Sequence, residues 1–191
     1  FCRRTILRWC TLAASNGCSE DEVSPERTKN LAFVREAEKT RREEYKGNAD
    51  FMVLPGLLAD RRNKRVTVHA ETTRLVQDDI VEFFLVDQAS SHDYEALAVS
   101  FAAPGDIHKA VEFIGMKPGR SVDPEKLQFW PKGERVLVTA RRVPAQKKKP
   151  AIRIEQCVQD VRTGKPYPET GFVFTGSRKI NSLTEPGKLD Y

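Results

Sequence analysis

The sequence is poor in the residues that build metal and disulfide sites. Its 191 residues include four cysteines and three histidines. Cys2, Cys10 and Cys18 lie at the amino terminus, so Cys157 is the one cysteine in the rest of the chain. A disulfide needs two thiols, and an iron–sulfur cluster or a structural zinc site needs several protein ligands. We therefore expect neither a metal nor a cofactor.

A long apolar run is missing as well. The apolar stretch over 9–17 is far shorter than the about 20 residues that cross a bilayer, and it follows the adjacent arginines Arg3 and Arg4. Two arginines, a spacer, two bulky apolar residues and a further base are typical of the twin-arginine export signal of bacteria. We therefore predict a leader over 1–18. The alternative is a cytosolic terminus with two arginines by chance.

The small residues Ser15 and Gly17 precede Cys18 and suit either cleavage by a signal peptidase or lipid attachment at Cys18. Both alternatives place the protein outside the cytoplasm, in the periplasm or on a membrane as a lipoprotein. The membrane is then a predicted partner through the lipid on Cys18. Simple secretion competes with the lipoprotein interpretation.

The leader also changes what the charge of the chain implies. The formal net charge is +5, and residues 1–18 hold three arginines and no acid, so the rest carries +2. A nearly balanced domain argues against nucleic acid as the partner. The lysines Lys147, Lys148 and Lys149 sit in a predicted hairpin loop, where charge commonly protects a sheet edge.

Beyond the leader we predict a charged tether over 19–48 and one domain over 49–191. Ser24 and Pro25 are typical of a helix start, and a helix over 25–46 with a thin apolar stripe follows. The alternation of Val66 and Val68 with polar residues predicts a strand, and further strands are expected over 80–86, 94–101, 135–143, 152–158 and 171–176.

The fold class is therefore α+β, with a mainly antiparallel sheet. One core-packed helix is predicted over about 105–116, because Ile107, Ala110, Val111 and Ile114 recur at helical spacing. Of the aromatic residues, Phe129, Trp130, Phe172 and Phe174 are expected in the core, with stacking on a ligand as the alternative.

Asp93, Glu95 and His108 are the weak candidates for a catalytic site. Sequential elements commonly pack together, so Glu95 and His108 can meet near the start of the predicted helix. A carboxylate beside an imidazole can orient a general base or complete a metal site. A histidine at the edge of an apolar stripe more often bonds a backbone carbonyl or a nearby acid. His69, on a predicted strand, has no partner that the sequence identifies.

Five segments resemble the YdjY-like proteins, an uncharacterised family of exported bacterial proteins abundant in planctomycetes. They are the segments 94–97, 107–111, 115–119, 160–165 and 173–177. The resemblance implies a domain of unknown function, sometimes described as redox-related, and a chain truncated at its carboxyl terminus. Family sequences commonly carry histidine at the position of Tyr94, so the resemblance assigns no metal ligand here.

The leader and the lack of catalytic motifs together favour an exported binding or interaction module for an unknown protein or small molecule. The alternative is a metal-dependent or redox-related enzyme that uses Glu95 and His108.

Overall fold

The computed structural model describes residues 25–76, 79–143 and 150–176, and for the backbone alone also 5–12, 180–181 and 189–190. Two α-helices and eleven strands occur in these ranges. They are β1 (Thr5–Leu12), α1 (Pro25–Glu44), β2 (Phe51–Leu54), β3 (Leu57–Asp60), β4 (Arg65–Thr72), β5 (Val86–Asp87), β6 (Ala98–Ser100), α2 (Pro104–Phe113), β7 (Glu134–Arg142), β8 (Ile152–Arg153), β9 (Phe172–Phe174), β10 (Ile180–Asn181) and β11 (Leu189–Asp190).

Strands β1 to β9 form one mixed sheet, whose central path runs β2-β3-β4-β1-β7-β8. Strand β4 is antiparallel to β3 through its first half and to β6 through its second half, both on one edge. Strand β7 pairs in the same antiparallel way with β8 and β9. The remaining edges of β4 and β7 face each other, and β1 lies between them, parallel to both.

Strand β1 lies within the segment 1–18, which the sequence predicts to be a leader. Seven residues of β1 are in register with β4, and seven with β7. The residues of the predicted signal that precede Thr5, and Cys18 behind it, lie outside the described residues. Export and processing of this segment remain predictions.

One face of the sheet packs against α2. Strand residues alternate between faces, and Val66 and Val68 of β4 share a buried cluster with Ala110 and Val111 of α2 and with Ile114, which directly follows the helix. Val136 of β7 joins the same cluster. The predicted core helix is thus confirmed, with an observed span of Pro104–Phe113.

The opposite face is covered by α1, which agrees closely with the helix predicted over 25–46. Its one buried residue, Val34, packs with Phe101 and with the half-buried Leu31 and Val143. The helix also contacts β4 through charged and polar side chains. It therefore docks on the sheet, so within the predicted tether residues 25–44 are a packed helix.

The α+β class is confirmed, while three predicted strands were wrong in extent. The segment 80–86 contributes only Val86 to a strand, and 94–101 only residues 98–100, after a 3-10 turn at Asp93–Glu95. In the segment 152–158 the strand ends at Arg153 and a 3-10 turn, Ile154–Cys157, follows. The segment 80–86 lies beside residues 95–100 and not beside β4. The 3-10 turn leaves no extended partner before Ala96, so Phe83 makes a single bridge there and continuous pairing begins only at Val86.

The core prediction also failed for two aromatic residues. Phe129 and Trp130 are 59% and 79% exposed, whereas Phe172 and Phe174 are half-buried against the core. Apolar character alone does not separate a strand residue from a loop residue.

Among the described helices, none has the length and apolar character that a membrane span requires.

Candidate functional site

A pocket of about 290 Å³ lies between α2 and the strands β5, β6 and β9. Its walls are mostly apolar, with a few polar side chains among them. The lining residues are Leu85, Val86, Asp87, Ser100, Ala102, Pro104, Ile107, His108, Val111, Val173, Phe174, Thr175 and Gly176. Such a mixture is typical of sites that hold small molecules, in which apolar walls supply affinity and a few polar groups fix orientation.

Helix α2 places His108 in the pocket wall. The helix begins at Pro104, which follows the extended residue Ala103. Proline suits the first turn of a helix because its missing N–H would have no helical partner there. Ile107 and His108 are consecutive, and both line the pocket while Val111 follows one turn later.

The His108 ring lies between a carboxylate and an aromatic ring. Its Nε2 atom is 3.4 Å from Oε2 of Glu112, and its centroid is 5.3 Å from that of Phe174. A Cβ atom at Gly176 would lie 3.7 Å from Cε1 of His108 and 2.7 Å from Cβ of Pro118. The chain can pass this closely because Gly176 has no side chain and accepts its φ of +86°.

The floor of the pocket is fixed by β5 and β6, in which Asp87 and Ser100 are in register. The buried Ser100 hydroxyl donates to the carbonyl of Ala102 at 2.7 Å and accepts from the amide of Ala102 at 3.0 Å. Its hydrogen bonds thus hold the bend between β6 and α2. Asp87 is the acidic side chain of the pocket, and its carboxylate accepts from the amide of Ala89 at 3.0 Å.

The sequence candidates Glu95 and His108 belong to two different polar pairs. Nδ1 of His92 lies 2.6 Å from Oε1 of Glu95, and the backbone carbonyl of Glu95 accepts from the amides of Glu82 and Phe83. Of the three candidates, only His108 lines the pocket. Asp93 is exposed at the start of the 3-10 turn, and its carbonyl accepts from the amide of Ala96.

The structure also shows a polar cluster that the sequence did not reveal. His69 is 3% exposed, and Nη1 of Arg41 donates to its Nε2 atom at 2.8 Å. Burial, together with the Arg41 charge, lowers the pKa of His69 to about 4. Glu71 on the same face of β4 forms an ion pair with Arg27 and accepts from Asn30 at 3.1 Å.

A periodic signal for this cluster was present in the sequence. Asn30, Val34 and Arg41 follow Arg27 at the intervals of one helix face, and His69 and Glu71 are two residues apart, as on one face of a strand. The contact between α1 and β4 could have been predicted by noting that the helix and the strand each present polar residues on one face.

No group of three or more His, Cys, Asp or Glu side chains that could hold a metal occurs in the part of the chain that the structure describes. Cys157 is a free, exposed cysteine.

The family model of the YdjY domain matches residues 57–189, which is more than half of the chain. The chain therefore belongs to the YdjY family. The matched segment contains the whole pocket, and it begins after β1, α1 and β2. Neither a curated protein nor a solved structure matches the chain.

Proposed function

We propose that this YdjY-family protein is an exported binding module, held at a membrane by a lipid on Cys18, that takes a small molecule into the pocket beside α2. The observation that carries the binding role is the pocket itself. Its apolar walls and its two ionisable side chains, Asp87 and His108, offer a ligand both burial and orientation. The predicted leader, with Arg3, Arg4 and Cys18, supports the location.

The volume of the pocket limits the ligand. At about 290 Å³ it lies at the lower end of ligand sites. The apolar side chains favour an aliphatic or aromatic group, and the histidine at the wall favours a polar substituent within its reach. A small amphipathic molecule therefore fits better than a sugar chain or a nucleotide.

An amphipathic dye, 1-anilinonaphthalene-8-sulfonate, tests this pocket. We expect saturable fluorescence enhancement with one dye bound per chain. Val173→Trp, in the pocket wall, should weaken binding at least tenfold. The matched control Val161→Trp changes a 92% exposed residue and should leave binding unchanged. Equal affinity of both variants, at equal far-ultraviolet circular dichroism and equal thermal unfolding temperature, would contradict the proposed site.

The lipid anchor is tested separately in bacterial cells that express the chain. Radiolabelled fatty acid should enter the unmodified protein and not Cys18→Ala. Replacement of Arg3 and Arg4 by lysine should stop export through the twin-arginine route. Equal labelling of the unmodified protein and Cys18→Ala would exclude the lipid and leave simple secretion.

A second candidate function is a metal-dependent or redox-related enzyme. It is favoured by one observation, the approach of the Glu112 carboxylate to the His108 imidazole at the wall of the pocket. An imidazole oriented by a carboxylate can act as a general base. Elemental analysis of the folded protein and of His108→Ala tests the metal version, which requires stoichiometric metal that the variant loses.

A further inference from the structure

The edges of β4 and β7 that face each other leave room for one strand between them, and we call this space the strand slot. The structure seats β1 in it, with Ile6 to Leu12 in register with 65–71 of β4 and Thr5 to Thr11 with 136–142 of β7. The family-matched segment contains both walls of the slot and excludes β1.

Removal of the leader would empty this slot. The inference therefore rests on the proposed function, because cleavage before Cys18 removes β1. Strands β4 and β7 would then each present a row of unpaired backbone N–H and C=O groups. An unpaired buried backbone group is unfavourable, and an added strand is the common way to satisfy such a row.

Two side chains indicate what kind of residue the middle of the incoming strand should carry. Nδ1 of His69 and Nε of Arg141 are buried atoms without a hydrogen-bond partner. His69 and Arg141 stand on opposite walls of the slot, and both are in register with the same position, residue 10 of β1. The two unpartnered atoms thus flank one place in the slot.

Both atoms are hydrogen-bond donors. The guanidinium of Arg41 can only donate, so the Nε2 atom of His69 accepts, and the ring proton of neutral His69 lies on Nδ1. Nε of Arg141 always carries a proton. A carboxylate at the flanked position could accept from both, and charge-assisted hydrogen bonds of this kind are the strong ones.

The position before this residue meets a different surface. Val68 and Ala140 are in register at one position before residue 10, and both belong to the buried clusters on the α2 side of the sheet. Neighbouring residues of a strand point to opposite faces. The incoming segment should therefore carry an apolar residue directly before the central acid. The position after the acid lies between the buried Ala70 and the exposed Arg142, so the structure sets no apolar requirement there.

We propose that the strand slot of the mature protein binds an extended segment of another protein, parallel to β4 and β7, with an acidic residue between His69 and Arg141 and an apolar residue directly before it. A second copy of this chain is a poorer donor. Strands β4 and β7 are the slot walls themselves, and the other described strands outside the leader have four residues or fewer.

The experiment uses the mature protein isolated from the envelope of expressing cells, whose amino terminus is read by mass spectrometry. Two fluorescent peptides with the sequence of residues 5–12 serve as probes, one with Cys10→Glu and one with Cys10→Ala. We expect both to bind, and the glutamate peptide to bind about tenfold more tightly. Arg141→Met should reduce that preference by at least threefold, while Arg162→Met, at an exposed turn, should retain it.

Hydrogen exchange gives the second measurement. Amides of β4 and β7 should exchange faster in the mature protein than in the full chain, and the glutamate peptide should restore their protection. Absence of peptide binding, or equal binding of both peptides, would overturn the inference while processing at Cys18 still stands. A dimer that the peptide dissociates would assign the slot to a second copy and also overturn it.

An intact leader in the folded, isolated protein would overturn both the inference and the predicted processing. The mass of the amino terminus therefore separates the failure of the proposed function from the failure of the slot alone.

Discussion

The two faces of the sheet are built from different chemistry. The face under α2 is apolar, with Val66 and Val68 packed against Ile114, and it carries the pocket. The face under α1 is polar, with Glu71 paired to Arg27 and His69 bonded to Arg41. Apolar burial is non-directional and grows with area, whereas polar contacts depend on particular partners and give a modest net gain.

The helices that cover the two faces lie on different sides of the start of the family match. The YdjY match begins at residue 57, so it includes α2 and the core strands but not α1. The buried apolar cluster of the α2 face lies almost entirely within the matched segment, whereas α1 precedes that segment and docks on the opposite face. We therefore expect substitutions on the α2 face to affect stability most.

The largest effect is expected for Ile114→Ala. Ile114 is 1% exposed and fully surrounded by the α2 cluster, so its truncation should lower the free energy of unfolding by about 4 kcal/mol. Leu31→Ala, at a half-buried position of α1 itself, should lower it by only about 1 kcal/mol. Urea denaturation measures both, and equal losses would remove the contrast between the faces.

Acid should weaken the α1 face next. The pKa of His69 is about 4 in the folded protein and near 6.5 in the unfolded chain. Between these two pKa values the unfolded state binds more protons than the folded state. The free energy of unfolding that His69 contributes above pH 6.5 is therefore lost as the pH falls towards 4, and the total loss is about 3 kcal/mol. His69→Gln should flatten this part of the curve of unfolding free energy against pH. An unchanged slope would contradict the buried neutral histidine.

Gly56 marks the place where the β2–β3 turn meets the connection between β6 and α2. Its φ is +69°, and a Cβ atom there would lie 2.7 Å from the backbone carbon of Phe101. Gly47 has a similar φ of +73° with nothing within 4 Å of such an atom. Gly56→Ala should therefore lower the free energy of unfolding by about 2 kcal/mol more than Gly47→Ala. Both variants force alanine into a positive φ, but only at Gly56 does the added Cβ atom also overlap the backbone of a neighbouring segment. Thermal unfolding of the two variants compares them.

The smallest effect is expected for the ion pair under α1. Glu71→Gln keeps the shape of the side chain but removes the charge that faces Arg27, and should destabilise by about 1 to 2 kcal/mol. Glu38→Gln breaks the pair with the exposed Arg42 and should change stability by about 0.3 kcal/mol. Urea denaturation measures both variants. Equal losses for Glu71→Gln and Glu38→Gln would mean that the pair with Glu71 does not help to dock α1.

These differences also explain which parts of the fold could be predicted from the sequence. Periodicity identified α2, β4 and β7, because each buries one face along a regular element. Helix α1 was identified from its start residues, Ser24 and Pro25. The prediction of a strand over 80–86 failed because a dense apolar run does not show whether an extended partner segment is available beside it. It missed β2, although Phe51–Leu54 is followed by the turn residues Pro55 and Gly56.

Prediction of the site was limited by contacts between distant parts of the chain. His108 was identified from its place beside the apolar stripe, and it lines the pocket. Its partner Glu112 lies four residues later on the same helix and was readable from that spacing. The contact with Phe174 and the link between His69 and Arg41 depend on tertiary packing that local patterns do not encode. Asp87 was missed because no motif surrounds it.

The sharpest contrast in the molecule concerns residues 5–12, which are a central strand by structure and part of an export leader by sequence pattern. Expression of the full chain behind an initiating methionine, followed by intact-mass analysis of the protein from the cell envelope, measures which description holds in the cell. The proposed function predicts a chain that begins at Cys18 with the mass of an attached lipid. A folded protein that retains residues 5–12 would contradict it.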